Sequence, residues 1–340
     1  MQTLFTQQRR VGRTALSLPA LGFGAAPIGN LYRAVSDTEA AAVISSALDA
    51  GMDYFDTAPH YGFGLSEQRL GQSVGREAVV SSKVGRLLQP IDPSERAPLR
   101  FGFAETPDLT PVFDYSYQGV MRSYQQSLQR LGRPIDVLYA HDLGELTHGA
   151  EDGHRWREFC EGGYRAMCEL KERGEIQAIG LGVNETAVCA RALDELSLDL
   201  LLLAGRYTLL EQGDSLALLS RCQRDEVSVV VGGPFNSGIL ATGVKGPGPF
   251  YYNYEPAPDI VLEKVKAIEL VCEQYHVPLC AAALQFPLAH PQVASVIAGF
   301  ASVQQVQQAR AWMDMSINAD FWQTLKVRGL IDQGAPVAAK

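Results

Sequence analysis

Short apolar runs alternate with amphipathic segments eight times between about residues 20 and 315, and this rhythm leaves few folds open. The runs GFGAAP (22–27), DYFDTA (53–58), AVVSSKVG (78–85) and DVLYAHDL (136–143) read as strands. So do IQAIGLGVN (176–184), DLLLLAGRYTLL (199–210), VSVVVGGPF (227–235) and VASVIAGF (293–300). Each is apolar along most of its length rather than alternating, as parallel strands covered on both faces should be. The first helical stretch, 38–51, opens with a Ser36–Glu39 capping box and closes at Gly51. Others follow each strand, among them 162–174 after the fourth and a longer region, 260–290, after the seventh. A last helix is expected over 318–331. Eight β-then-α units in one series predict a closed (β/α)₈ TIM barrel over 1–340 as a single domain. Residues 9–20 read as an N-terminal β-hairpin closing its bottom, and 86–116 as a polar, proline-containing insertion.

Several function classes fall away early. Net charge is −9 and no Lys/Arg run exceeds two residues, so a nucleic-acid partner is not expected. No stretch approaches the ~18 uninterrupted apolar residues of a membrane span. MQTLFTQQRRVGRT has no apolar segment behind its basic pair, so a cytoplasmic location is expected. The six cysteines lack C-x-x-C spacing and read as reduced core residues. No H-x-H pair supports a barrel metal site, and none is expected. Monomer and homodimer are equally compatible with this composition.

In such barrels, active sites occupy the C-terminal ends of the strands. Asp56 ends the second predicted strand, with Tyr61 in the loop beyond it. Lys83 falls near the end of the third, His141 near the end of the fourth and Asn184 at the end of the fifth. Any one of these could be structural. Together on neighbouring strands they make an acid/base set: an ammonium beside a phenol favours the phenolate, a carboxylate holds the ammonium, and an imidazole orients a substrate oxygen. The expectation is that Lys83 lowers the pKa of Tyr61.

GMDYFDTAPHYGFGLSEQRLG, SSKVGR and YAHDL together resemble the signature segments of the aldo/keto reductase family, with Asp56, Tyr61, Lys83 and His141 at the matching positions. The resemblance runs from GFGAAPIGN to IAGFASVQQ. It implies an NAD(P)-dependent oxidoreductase moving hydride between a nicotinamide and a carbonyl or carbinol carbon. It also implies an extended dinucleotide across the barrel mouth. Asn184 would hold the carboxamide. The loop containing Pro234, Phe235, Asn236, Gly238 and Leu240 would take the pyrophosphate, and Gly299, Ser302 and Gln305 the adenosine-phosphate end. GFGAAPIG fails as a Rossmann fingerprint, because Pro27 replaces the third glycine and no helix opens on it.

The sequence departs from the family in three places. Ala204 stands where a Gln is usual, Gly232 where many members stack a Tyr, and no basic residue follows the eighth strand before Arg310. The last point favours NAD, with NADP the alternative. The segments most resemble the branch that oxidises cyclic hemiacetals to lactones: aldoses such as L-fucose, D-arabinose or L-galactose at C1, and pyridoxal. A general carbonyl reductase, a non-catalytic nucleotide-binding barrel and a metal-dependent barrel hydrolase are the other readings. Tyr32, His60 and Tyr252 join Tyr61 and His141 as candidate contacts to this small hemiacetal or carbonyl substrate. Arg33, Asp142 and the remaining aromatics of 251–254 are further candidates on the rim.

Overall fold

The computed structural model describes residues 4, 5 and 7–338. Its centre is a closed barrel of eight parallel strands: β1 (Leu21–Gly24), β2 (Tyr54–Asp56), β3 (Val79–Val84), β4 (Val137–His141), β5 (Ala178–Val183), β6 (Leu200–Ala204), β7 (Ser228–Gly232) and β8 (Val293–Gly299). They follow one another in chain order, and β8 pairs back onto β1. The outer ring is α1 (Asp37–Asp49), α2 (Leu65–Ser73), α3 (Tyr117–Leu131), α4 (Tyr164–Glu172), α5 (Thr186–Glu195), α6 (Gly213–Asp225), α7 (Asp259–Tyr275) and α8 (Val303–Asp314). The Ser36–Glu39 capping box is formed at the start of α1. The expected region 260–290 divides, because His276 and Pro278 separate α7 from the helix Leu279–Gln285. The final helix covers Ala319–Val327. No described helix is long and apolar enough to cross a membrane.

The strands build two apolar layers. Their outward side chains join the helices in a large cluster that includes Phe55, Leu138, Leu201, Val229 and Val296. Their inward side chains form a separate cluster with Val11, Leu16 and Leu18 of the N-terminal hairpin, whose strands are Gln8–Arg10 and Ser17–Pro19. The hairpin therefore plugs the barrel floor. The interior is lopsided. From β6 to β8 it is mostly aliphatic, with Leu200, Leu202, Val230 and Ile297 beside the buried Ser228 and Ser295. From β2 to β4 it carries Tyr54, Ser81 and Tyr139, linked hydroxyl to hydroxyl at 3.0 Å (Tyr54–Ser81) and 3.2 Å (Tyr54–Tyr139). Barrel interiors are usually layers of bulky branched residues, so a buried hydroxyl column at this place needs a cause, which lies on the rim above it.

The insertion 86–116, expected only as polar and proline-containing, carries two antiparallel strand pairs. Arg86–Pro90 pairs with Leu109–Phe113, and Leu99–Arg100 with Phe103–Ala104. Prolines at 90, 93, 98, 107 and 111 break the period that would have signalled these strands. The tip docks on the loop after β1, where Tyr32 N donates to Gly102 O at 2.7 Å and Ala104 N to Asn30 O at 2.9 Å. Likewise, the helix expected to begin at 162 begins earlier: Asp152–Glu158 continues through a π-helical turn, Phe159–Gly163, into α4. Gly162 and Gly163 look like a boundary in sequence, yet their role is close approach. A Cβ would lie 2.6 Å from Tyr117 N at Gly162 and 2.5 Å from Tyr115 O at Gly163.

One buried ion pair locks α2, α3 and β3 together. The Glu67 side chain is fully buried, accepts from Ser82 Oγ at 2.6 Å and meets Arg130 Nε at 2.6 Å. Arg130→Met would leave that carboxylate buried without its countercharge. The expected loss is about 3–5 kcal/mol of stability, read from the midpoint of denaturant unfolding.

Candidate active site

The end of β2 carries Asp56, and the loop beyond it turns back to place Tyr61 over the barrel mouth. Register does the rest: Asp56 lies opposite Ser81, Lys83 opposite Tyr139, and His141 opposite Gly182. Lys83 Nζ donates to Asp56 Oδ2 at 2.7 Å and to Thr57 O at 2.9 Å, and it lies 3.3 Å from Tyr61 Oη. Ser81 Oγ donates to Asp56 Oδ1 at 2.7 Å. The hydroxyl column of the interior thus ends on the carboxylate and satisfies its second oxygen. Asp56, Lys83 and His141 are buried to 4%, 2% and 6% exposure, and the Asp56 and Lys83 charges are sustained there because they pair with each other.

Burial tends to discharge Lys83, but the Asp56 carboxylate, helped by Tyr61, more than offsets it, so Lys83 stays charged with a raised pKa. His141 is held neutral well below its ordinary value by burial, then by the charges of Arg86 and Lys83. Tyr61 departs from the sequence expectation. Burial pushes its phenol up, and the Lys83 charge opposes that rise without reversing it. Desolvation of the phenolate outweighs the one ammonium beside it.

These groups line a cavity of about 440 Å³. The polar side is Tyr61, Lys83, His141, Asp142 and His60; Gly182, Leu202 and Ala204 make a side of low relief. Tyr32, Phe101 and Tyr254, all largely exposed, stand around the opening. Phe101 and Phe103 come from the insertion tip, and sequence analysis, which read that segment only as a polar insertion, missed them. Of the 251–254 aromatics, Tyr254 lines the cavity; the expected Tyr252 packs half-buried against the core instead. Tyr251–Tyr252 pairs with Glu255–Pro256, and the turn between them aims residue 254 inward.

The cofactor candidates sit less evenly. Asn184 borders the cavity, and its carboxamide makes no hydrogen bond to any described residue. Ala204 and Gly232, two of the departures noted above, are cross-strand partners; Ala204 borders the cavity beside Asn184, whereas a Cβ at Gly232 would meet Leu202 at 3.2 Å and the Ala204 Cβ at 3.5 Å. A narrower slot continues past Gly205, Arg206, Gly233, Asn236 and Ser237. There Asn236 is not a free donor: its Nδ2 donates to Gly205 O at 3.1 Å, and its Oδ1 accepts from Thr208 Oγ1 at 2.5 Å. Pro234 and Leu240 are buried, Phe235 is half-buried against the core, and Gly238 precedes the short helix Ile239–Thr242. The turn 253–254 is pinned over this slot by Arg206 Nη1 to Asn253 Oδ1 at 3.0 Å and by Tyr254 N to Ser237 Oγ at 2.9 Å. At the far end, Gly299 is exposed, Ser302 caps α8, and Gln305 Oε1 accepts from Ala301 N at 2.7 Å. Arg310 is turned away, bonded to Asp314 and stacked on Phe5. The guanidinium that reaches this turn is Arg33, donating to Ala301 O at 3.1 Å. It comes from the loop after β1, so distance along the chain hid it. A dinucleotide fits these residues: the Asn184 carboxamide, unpartnered among the described residues, beside the small side chain of Ala204 at one end, and a helix N-terminus and an arginine at the other. Among the described residues, no group of three or more His, Cys, Asp or Glu comes together as a metal cage.

The chain belongs to the aldo/keto reductase family, whose sequence model matches residues 20–327. Members of this family use NAD(P)H. The chain is 43% identical to pyridoxal 4-dehydrogenase of Microbacterium luteolum over 96% of this chain and 98% of that one. It is 40% identical to D-threo-aldose 1-dehydrogenase of a Pseudomonas species, covering 93% and 95% of the two chains. Identity to L-galactose dehydrogenase of Arabidopsis thaliana is 27%, covering 88% and 86%. An aldo-keto reductase from Bacillus halodurans, in its holo form, shares the fold with a TM-score of 0.73, 24% identity and coverage of 98% and 99%.

His60 supplies a pH-dependence of stability. Its ring lies among Phe63, Phe101 and Phe103, with Nδ1 buried and unpartnered. Burial, then the Arg86 and Lys83 charges, pull its pKa from 6.5 to about 3. The unfolded imidazole therefore takes up a proton before the folded one. Stability present above pH 6.5 is lost as pH falls toward about 3. His60→Phe should flatten the fall in melting temperature across that window, read by scanning calorimetry at stepped pH.

Proposed function

We propose that this protein is a nicotinamide-dependent dehydrogenase that oxidises a cyclic hemiacetal, an aldose at C1, to its lactone. The observation that carries the reading is the Tyr61 phenol, 3.3 Å from a charged, buried Lys83 and facing a cavity bordered by the unpaired Asn184 carboxamide. The likeness to relatives named for D-threo-aldose and L-galactose supports the substrate class. Pyridoxal, itself a cyclic hemiacetal, is the second reading, favoured by the 43% identical relative.

Bound dinucleotide would accept the hydride from the carbinol carbon. Asn184 would hold its carboxamide, and the Ser302 end of α8 its adenosine-phosphate portion. Tyr61 takes the hydroxyl proton as the carbon–oxygen double bond forms. Lys83 stabilises the negative charge that the Tyr61 oxygen carries before it takes the proton, and Asp56 keeps Lys83 charged and fixed. Neutral His141 offers a ring N–H to the substrate oxygen and orients it. NAD is the proposed acceptor; Arg33 is the side chain that a 2′-phosphate of NADP would meet.

The test mixes the protein with NAD, and separately NADP, and follows reduced-nicotinamide absorbance with L-fucose, D-arabinose, L-galactose and pyridoxal. Reduction with an aldose is expected, and silence with every hemiacetal would refute the reading. Tyr61→Phe should lower kcat by about 10²–10⁴-fold while dinucleotide binding, read by fluorescence titration, is kept. Because oxidation needs the deprotonated phenol and burial raises its pKa, kcat/KM for oxidation should climb with pH into the alkaline range. Lys83→Met should move that limb to still higher pH.

A further inference from the structure

Asp142 stands next to His141 in the chain, lines the cavity and takes no part in the proton transfer described above. It is held there at some cost. Its φ is +52°, in the left-handed region that a non-glycine residue occupies only when its surroundings require it. Its backbone N donates to Gly182 O at 2.9 Å, and Arg86 Nη2 donates to its Oδ2 at 2.5 Å. Arg86 is itself fixed against Phe113, 4.5 Å from the ring centre, and does not line the cavity. The carboxylate therefore faces the substrate space while its countercharge lies behind it. Asp142 Oδ2 is 3.5 Å from His141 Nε2, and Oδ1 accepts no hydrogen bond among the described residues.

We propose that Asp142 is a specificity-determining residue that reads the hydroxyl on the carbon next to the reacting carbon. The inference rests on the hemiacetal reading above and narrows it. A substrate oxygen shared by Tyr61 and His141 puts the vicinal position of a sugar ring beside Asp142. An ionised carboxylate only accepts hydrogen bonds, so it recognises a neutral hydroxyl and repels an anionic oxygen. The class selected is an aldose with a free 2-hydroxyl. Pyridoxal is disfavoured at this position, because its ring hydroxyl is acidified by the pyridinium and sits one carbon further away. The short Asp142–Arg86 bond keeps the acceptor in place before substrate arrives, so little ordering is needed on binding.

The experiment compares kcat/KM for two matched pairs: L-fucose with 2-deoxy-L-fucose, and D-arabinose with 2-deoxy-D-ribose, which is D-arabinose without its 2-hydroxyl. The wild-type protein should prefer the hydroxylated member about 10- to 100-fold, the range for a hydrogen bond to a charged group. Asp142→Asn, which keeps the shape and tolerates positive φ, should collapse that preference to a few-fold through loss on the hydroxylated sugar alone. A purely structural role would lower both members equally and leave the ratio unchanged, which would overturn the proposal. A wild-type ratio near one would overturn it without any variant. Turnover of aldoses with no 2-hydroxyl preference refutes this inference alone, whereas no turnover of any aldose refutes the functional reading and takes the inference with it.

Discussion

The ion pair between Lys83 and Asp56, 2.7 Å long and almost sealed from solvent, sets the terms for the rest of the molecule. Removing two charges from water is costly, and their attraction repays it only when every remaining donor and acceptor is matched. The Thr57 carbonyl takes one ammonium proton, and Ser81 satisfies the second carboxylate oxygen. Ser81 is in turn held by Tyr54, and Tyr54 by Tyr139. This chain of demands explains why one side of the barrel interior is polar and the other mostly aliphatic. It also explains where Tyr61 stands, since the only face of the ammonium left to it opens on the cavity.

The mouth is organised by the same asymmetry. Ionisable groups crowd the β2–β4 side, and on the other side Gly182, Leu202 and Ala204 bring no ionisable group. Ala204 and Gly232 look like two separate departures from the family pattern when read along the chain, but they are neighbours across a β-ladder, where a Cβ at Gly232 would press on Leu202 and Ala204. Gly182 serves the polar side in a similar way. A Cβ there would stand 3.3 Å from the Lys83 stem and press on the ammonium.

The barrel was legible in sequence because strands covered on both faces must be apolar throughout, and helices between them must keep one apolar stripe. Asp56, Lys83 and His141 were legible because charge at the end of such a strand is conspicuous. What escaped depended on contacts between distant segments. Arg86 meets Asp142 across 56 residues, and Arg33 reaches Ala301 across 268. Neither pairing leaves a local mark. Prolines hid the insertion strands, and glycines needed for close packing against residues 115–117 imitated a helix start. Asn236 read as part of the pyrophosphate loop because nothing in its neighbourhood reveals that Gly205 and Thr208 occupy it. The direction of the Tyr61 shift was missed for a related reason: the ammonium is visible in the sequence, while the depth of the surrounding protein is not.

The hydroxyl column beneath the rim has one more consequence. In many enzymes the catalytic groups sit on loops that loosen before the scaffold does, so activity fades while the fold survives. Here the Asp56 carboxylate is tied through Ser81 and Tyr54 to Tyr139 in the middle of the barrel, among the same side chains that pack the interior. The ion pair is thereby part of the frame itself, and disordering it means parting the strands that carry the column.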